Sequence, residues 1–302
     1  MYLNKVYLRL KQYFEILLRY FIDLTLKLIA KTYQTINLLF FESGLEKQIY
    51  INRSNSKSVG NFIYSSQYET SSDKYGLPQS ILKYINRDLN KYPTYTDLIP
   101  SLFKFLNVKI TYLEIGVSVM KNFYLISSGS KGLEMYAFDI NQPNKAIESK
   151  FDIVYKEGNY STYKHNENNL HYYQGDVFNK NNLNEFKNII KKSNFIFSDA
   201  HHSYDGLISE YKNLIQDILD DKFLIYYDDL SGGMKKAFFE IAEDLSLSND
   251  IEVFTFLING WVGQHEKMHR NGIITNLKLQ KELINSNIKL LGFKSFEYKI
   301  NQ

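Results

Sequence analysis

Between Leu3 and Phe41 apolar residues dominate, but Lys5, Arg9, Glu15, Arg19, Asp23, Lys27 and Lys31 interrupt them at intervals near one helical turn. That spacing predicts a long amphipathic helix over residues 1–41, an extension to the main domain. A bilayer span needs roughly 20 predominantly apolar residues in a row, and no uninterrupted run here approaches that. The pattern of a signal peptide is also missing. The helix is expected to pack on protein, with a homo-oligomer built through it as one outcome, or to lie on a membrane surface. A cytoplasmic location is the expectation, with surface association of this helix left open.

Residues 42–75 are polar and rich in Ser, Asn and Gly, notably Asn52-Arg53-Ser54-Asn55-Ser56-Lys57-Ser58, and read as a linker or cap loop. Residues 76–302 read as one domain. Its start, Pro78 to Leu106, has apolar residues at mixed helical spacing punctuated by Pro93 and Pro100, which predicts two short helices. From Lys109 onward apolar runs at 110–115, 135–140, 170–173, 195–198 and 223–227 are separated by stretches long enough for helices. This alternation predicts an α/β fold of Rossmann-like type, a mostly parallel sheet with helices on both faces. A late run, Glu252 to Ile258, followed by Asn259-Gly260-Trp261, predicts a strand and a turn into an antiparallel C-terminal end.

Composition acts mainly by exclusion. A chain of 302 residues with 44% hydrophobic content can bury a large core. The 36 basic and 33 acidic residues leave a net charge of +3, too little to call for nucleic acid as a partner. The lack of cysteine excludes disulfides, thiolate metal sites and a cysteine nucleophile. The 25 tyrosines, with abundant Asn, Lys and Ile, read as coding bias, so no single tyrosine is singled out.

Open α/β sheets bind ligands beyond the carboxyl ends of their strands, so the residues closing each apolar run matter most. The first run ends Glu114-Ile115-Gly116-Val117-Ser118, and the second ends at Asp139, 23 residues after Gly116. An acid at a second strand tip can accept hydrogen bonds from both hydroxyls of a ribose. The third ends Gly175-Asp176-Val177, the fourth Ser198-Asp199-Ala200-His201-His202, and the fifth Tyr227-Asp228-Asp229. Carboxylates crowded on one edge repel unless protonated, paired with bases or neutralised by a cation. Hard oxygen ligands of this kind favour Mg²⁺, Ca²⁺ or Mn²⁺. His265 and His269 are four apart, a metal-binding spacing only if helical, but Gly260, Gly263 and Gly272 argue for a loop or hairpin. Trp261 reads either as pocket lining or as core.

The Glu114-Ile115-Gly116 segment resembles motif I of class I S-adenosylmethionine-dependent methyltransferases, although Val119, Met120 and Lys121 stand where further glycines are usual. The resemblance implies cofactor contacts from Glu114, Gly116, Val117 and Ser118 at the methionine end, Asp139 at the ribose, and Gly175, Asp176 and Val177 at the adenine. The segment from Asp199 to Gly206 resembles small-molecule O-methyltransferases. Together with Asp228-Asp229 it is similar to the metal-dependent sugar O-methyltransferases of macrolide biosynthesis. That likeness implies Asp199, Asp228 and Asp229 as ligands of Mg²⁺ or another divalent cation, with Asp199 and His202 catalytic. His202 is the general base it implies, a neutral imidazole near pH 7, with His201 the alternative one residue away. The expected function is methyl transfer to a hydroxyl of a sugar or other small polar acceptor. Methylation of RNA or protein, and a non-catalytic binding module on the same fold, are the alternatives.

Overall fold

In the computed structural model of the chain, residues 43–56, 93–260 and 268–300 are described. The helix expected over residues 1–41, residues 57–92, Trp261 and His265 lie outside them. Within the stretch read as linker or cap loop, Glu46–Ser56 forms a helix, α1. Its Asn52 and Arg53 are buried because both bond to Asp97.

Five parallel strands form the centre: β1 (Thr111–Ile115), β2 (Glu134–Asp139), β5 (Asn168–Gln174), β6 (Ser193–Ser198) and β7 (Leu219–Tyr227). Each overlaps one of the five predicted apolar runs. One end of the sheet adds a hairpin of β3 (Asp152–Glu157) and β4 (Tyr160–His165), and the other adds β8 (Ile251–Asn259), β9 (Met268–Thr275) and β10 (Leu291–Tyr298). The full order is β10-β8-β9-β7-β6-β1-β2-β5-β4-β3, with β9 antiparallel to both β7 and β8. This is the expected Rossmann-like arrangement with an antiparallel C-terminal end. The β3–β4 hairpin was not expected: every residue of β3 is exposed, so its sequence has no apolar face to announce a strand.

The central strands are buried on both faces, as parallel sheets require. Tyr112, Phe195, Phe197 and Tyr226 face one layer, which includes α2 (Tyr95–Phe103), α3 (Lys121–Gly129) and α9 (Leu279–Asn285). Leu113, Ile115, Ile196 and Ile225 face the other, built from α5 (Lys180–Ile189), α6 (Tyr204–Glu210) and α8 (Gly232–Ser246). Two short turns, α4 (Lys145–Glu148) and α7 (Gln216–Ile218), complete the helices among the described residues, and a π-helical turn, Tyr211–Ile215, joins α6 to α7. None of these helices is long and apolar enough to cross a membrane.

Helix α2 shows how the scaffold reaches the site. Pro100 lies inside it and has no N–H for the carbonyl of Thr96, which instead accepts from Asn52 Nδ2 at 2.9 Å. Asp97 caps the helix at Thr94 and forms a two-pronged pair with Arg53, both contacts 2.9 Å. These bonds fix Tyr95 over Phe197, with ring centroids 4.9 Å apart, so that its hydroxyl faces the tip of β6.

Candidate active site

The chain winds outward from β1 through β2 to β5, then returns to β6 on the other side of β1. Loops leaving β1 and β6 therefore diverge, and a crevice opens between them. Gly116 is what lets the two exits touch: its φ is +86°, and a Cβ there would sit 2.4 Å from the Ala200 nitrogen and Cα. Backbone bonds of 2.8 Å from Asp199 N to Ile115 O and from Gly116 N to Phe138 O lace the tips together. Beyond Gly116 the loop keeps a tight shape without more glycines, since Ser118 and Met120 adopt left-handed φ values of 55° and 63°. That conformation costs roughly 1–2 kcal/mol per residue. Asp139 offsets it by accepting from Ser118 N at 2.6 Å.

A first cleft of about 700 Å³ runs across the tips of β1, β2, β5 and β6, lined by Gly116, Ser118, Asp139, Gly175, Asp176 and Val177 among others. Asp139 is buried, and its other oxygen accepts from the backbone and side-chain amides of Asn141 at 2.8 and 3.0 Å. Burial raises its pKa, against the opposing pull of these amides. Asp176 accepts from Phe178 N at 2.9 Å. Gly175 is required because a Cβ would meet the Phe138 ring at 2.8 Å. His201 faces this cleft, bonded to Ser203 Oγ at 2.8 Å, and so is separated from His202.

A second cleft of about 1010 Å³ shares Gly116, Ser118, Asp199 and Ala200 with the first and gathers His202, Asp228, Asp229 and His269. His202 bridges two acids, Nε2 to Asp199 at 3.1 Å and Nδ1 to Asp229 at 3.4 Å. The Asp199 hydrogen bond is the main reason its pKa is pushed up to about 9. Asp199 rises to about 6 through burial first and the neighbouring charge of Asp228 second. Asp228 contacts His269 Nδ1 at 3.4 Å and accepts from Asn271, both carried by β9. Tyr95 donates to Asp199 at 3.4 Å. Asp199, Asp228 and Asp229 thus share one cleft, but each has an imidazole beside it. Among the described residues no three His, Asp or Glu side chains are grouped so as to hold a metal ion. The donor chemistry suits a hard cation, but in this arrangement His202 bridges Asp199 and Asp229 and His269 stands beside Asp228.

Sequence reasoning missed Tyr95, Lys121, Asn122 and His269 as cleft residues. For His269 a signal existed. His269 and Asn271 are two apart, on one face of β9, whereas pairing His269 with His265 presumes a helix.

No family model matches the chain, and no curated protein matches its sequence. Among solved structures, an O-methyltransferase from Bacillus cereus in complex with SAH is similar at 10% identity and a TM-score of 0.44, over 80% of this chain and 96% of that one. The O-methyltransferase TomG from Streptomyces achromogenes, involved in tomaymycin synthesis and solved with SAM, is similar at 10% identity and a TM-score of 0.42, over 76% and 98% of the two chains. At these scores the likeness carries no functional weight.

Proposed function

We propose that the chain is an S-adenosylmethionine-dependent O-methyltransferase acting on the hydroxyl of a small polar acceptor, a sugar being the expected class. The observation that carries this is the pair of clefts meeting at Gly116 and Asp199. The first offers Asp139 and Asp176 to a nucleoside, and the second offers acids and imidazoles to a hydroxyl. When bound, the cofactor supplies a methyl group on a sulfonium, open to in-line displacement by oxygen. Proton handling falls to this chain's residues at the junction. Asp199 and His202 form the proposed catalytic pair. With its pKa near 9, His202 carries a proton at pH 7 rather than being the expected neutral imidazole, so it accepts one only as pH rises toward that value. Below it, the charged ring orients Asp199.

A divalent cation such as Mg²⁺ on Asp199, Asp228 and Asp229 is a second reading, favoured by the crowding of Asp199 against Asp228. It requires His202 to leave the two carboxylates it bridges. Calorimetric titration with Mg²⁺ tests it: binding that is lost in Asp229→Asn supports the cation, and no binding to the intact chain removes it. The cofactor reading is tested by thermal unfolding. A ligand at a hundred times its dissociation constant adds about 2.7 kcal/mol, and no stabilisation by saturating S-adenosylmethionine would overturn the reading.

A further inference from the structure

Behind the second cleft, on the other face of the sheet, is a carboxyl with no task in the proposed proton chemistry. Glu210 ends α6, where the helix passes into the π-helical turn, and it is fully buried. Its Oε2 accepts from the Ser198 hydroxyl at 2.5 Å, while its Oε1 is buried without a hydrogen-bond partner among the described residues. A charged carboxylate held by a single hydroxyl in a dry site is costly, so the neutral acid suits this place better. Burial pushes its pKa up to about 7, with the nearby charge of Asp199 adding to the rise and Ser198, the His201 backbone and His202 opposing it.

Ser198 is the point from which both acids hang. It closes β6 directly before Asp199, and its carbonyl accepts the Asp228 amide at 3.1 Å. It also pairs in register with Tyr227, the residue before Asp228. Side chains alternate along a strand, so Ser198 and Tyr227 turn toward α6 while Asp199 and Asp228 line the cleft. The Tyr227 hydroxyl is likewise buried without a partner among the described residues. Burial first, then the charges of Glu210 and Tyr211, hold its pKa above the ordinary value, which makes it a neighbour of the carboxyl. Ser198, Tyr227 and Tyr211 thus face Glu210 from β6, β7 and the π turn, and none carries positive charge. Ionisation would set like charge behind Asp199 and strain the contact that holds the two strand tips together.

We propose that Glu210 is a positioning residue of the second cleft: in its neutral form it holds Ser198, and through Ser198 the placement of Asp199 and Asp228 on which the His202 bridge depends. Its part in methyl transfer rests on the function proposed above, but the geometry it controls can be followed without an acceptor.

The test is NMR of the His202 ring in the full chain across pH, beside calorimetry with S-adenosylhomocysteine. The ring signals of the intact chain should show an inflection near pH 7, additional to those of Asp199 near 6 and of the ring itself near 9. Glu210→Gln, neutral at every pH and still able to accept from Ser198, should lose that inflection and keep the ring signals of the neutral acid. Glu210→Ala and Ser198→Ala should each shift the ring signals already at pH 5. An inflection near 7 that survives in Glu210→Gln overturns the role, and so do unshifted ring signals in Ser198→Ala, which removes only a hydroxyl and decides the matter if Glu210→Ala does not fold. If the intact chain binds no S-adenosylhomocysteine, the cofactor reading fails, and the ring signals still decide the role of Glu210.

Discussion

The two clefts share a wall and differ in how their acids are held. In the first, Asp139 accepts from the backbone amides of Ser118 and Asn141, groups on its own loop and the neighbouring one. In the second, Asp199, Asp228 and Asp229 are balanced against imidazoles from the β6 exit and from β9. A carboxylate satisfied by amides is fixed whenever the backbone is. One balanced against an imidazole depends on a titrating proton, which Asp199 gives up near 6 and the bridging His202 near 9. The first cleft should keep its shape across pH, and the second should change its charge.

The most disruptive way to break this contrast is to remove the shared wall. Gly116→Ala puts a methyl within 2.4 Å of the Ala200 backbone at a positive φ, so the exits of β1 and β6 must part. The expected loss is at least about 3 kcal/mol of stability, with S-adenosylhomocysteine binding abolished. Denaturant unfolding measures the first and calorimetry the second; an unchanged midpoint would mean that the contact does not hold the clefts together.

A smaller effect sharpens the pH contrast from behind the second cleft. Glu210 is fully buried, accepts from Ser198 Oγ at 2.5 Å, and has one oxygen without a partner. Burial pushes its pKa up to about 7 from an ordinary value of 4.5. The folded state therefore holds this proton more tightly than the unfolded chain, so the stability it brings is present at low pH and is lost as pH rises through about 7. Glu210→Gln should abolish that loss. The difference in unfolding free energy between wild type and variant should change by about 2 kcal/mol from pH 5 to pH 8, and a pH-independent difference would show that the acid is not strained.

His202 is next in size. Its raised pKa brings stability that is present below about 6.5 and lost as pH rises through about 9. Asp199→Asn removes the largest cause and should lower its proton affinity about tenfold, followed by the NMR titration of the ring. An unmoved titration would assign the shift to Asp229 and Asp228 instead.

Much of this contrast was legible in sequence. The five apolar runs marked the parallel strands, because strands buried on both faces have no polar alternation to hide them, and the residues closing those runs do line the clefts. Partners were not legible. The bridging of His202 depends on two strands 29 residues apart that parallel pairing makes neighbours. Tyr95 reaches Asp199 only because Arg53 and Asn52 fix α2, a long-range set of bonds with no periodic signal. The helix at Glu46–Ser56 was hidden by Ser and Asn residues that read as loop, yet two of its polar side chains are buried by Asp97.

The mildest test asks whether Asp139 serves a ligand or only its loop. Both its oxygens already accept amide hydrogens, but a carboxylate oxygen can accept a second bond, so ribose hydroxyls can be added without releasing Ser118. Asp139→Asn removes the charge and turns one acceptor into an N–H donor, so either the Ser118 bond or the Asn141 bonds are lost. If the acid meets the ribose, S-adenosylhomocysteine affinity should fall about fivefold, within the range of one hydrogen bond to a charged group. Stability should fall by about 1–2 kcal/mol, because a loop amide is left facing a donor, an effect partly offset by relief of the buried charge. The same drop in stability with affinity intact would reduce Asp139 to a clamp for the left-handed loop and move ribose recognition to Asn141 or Asp176. Calorimetry and thermal unfolding on the same variant separate the two.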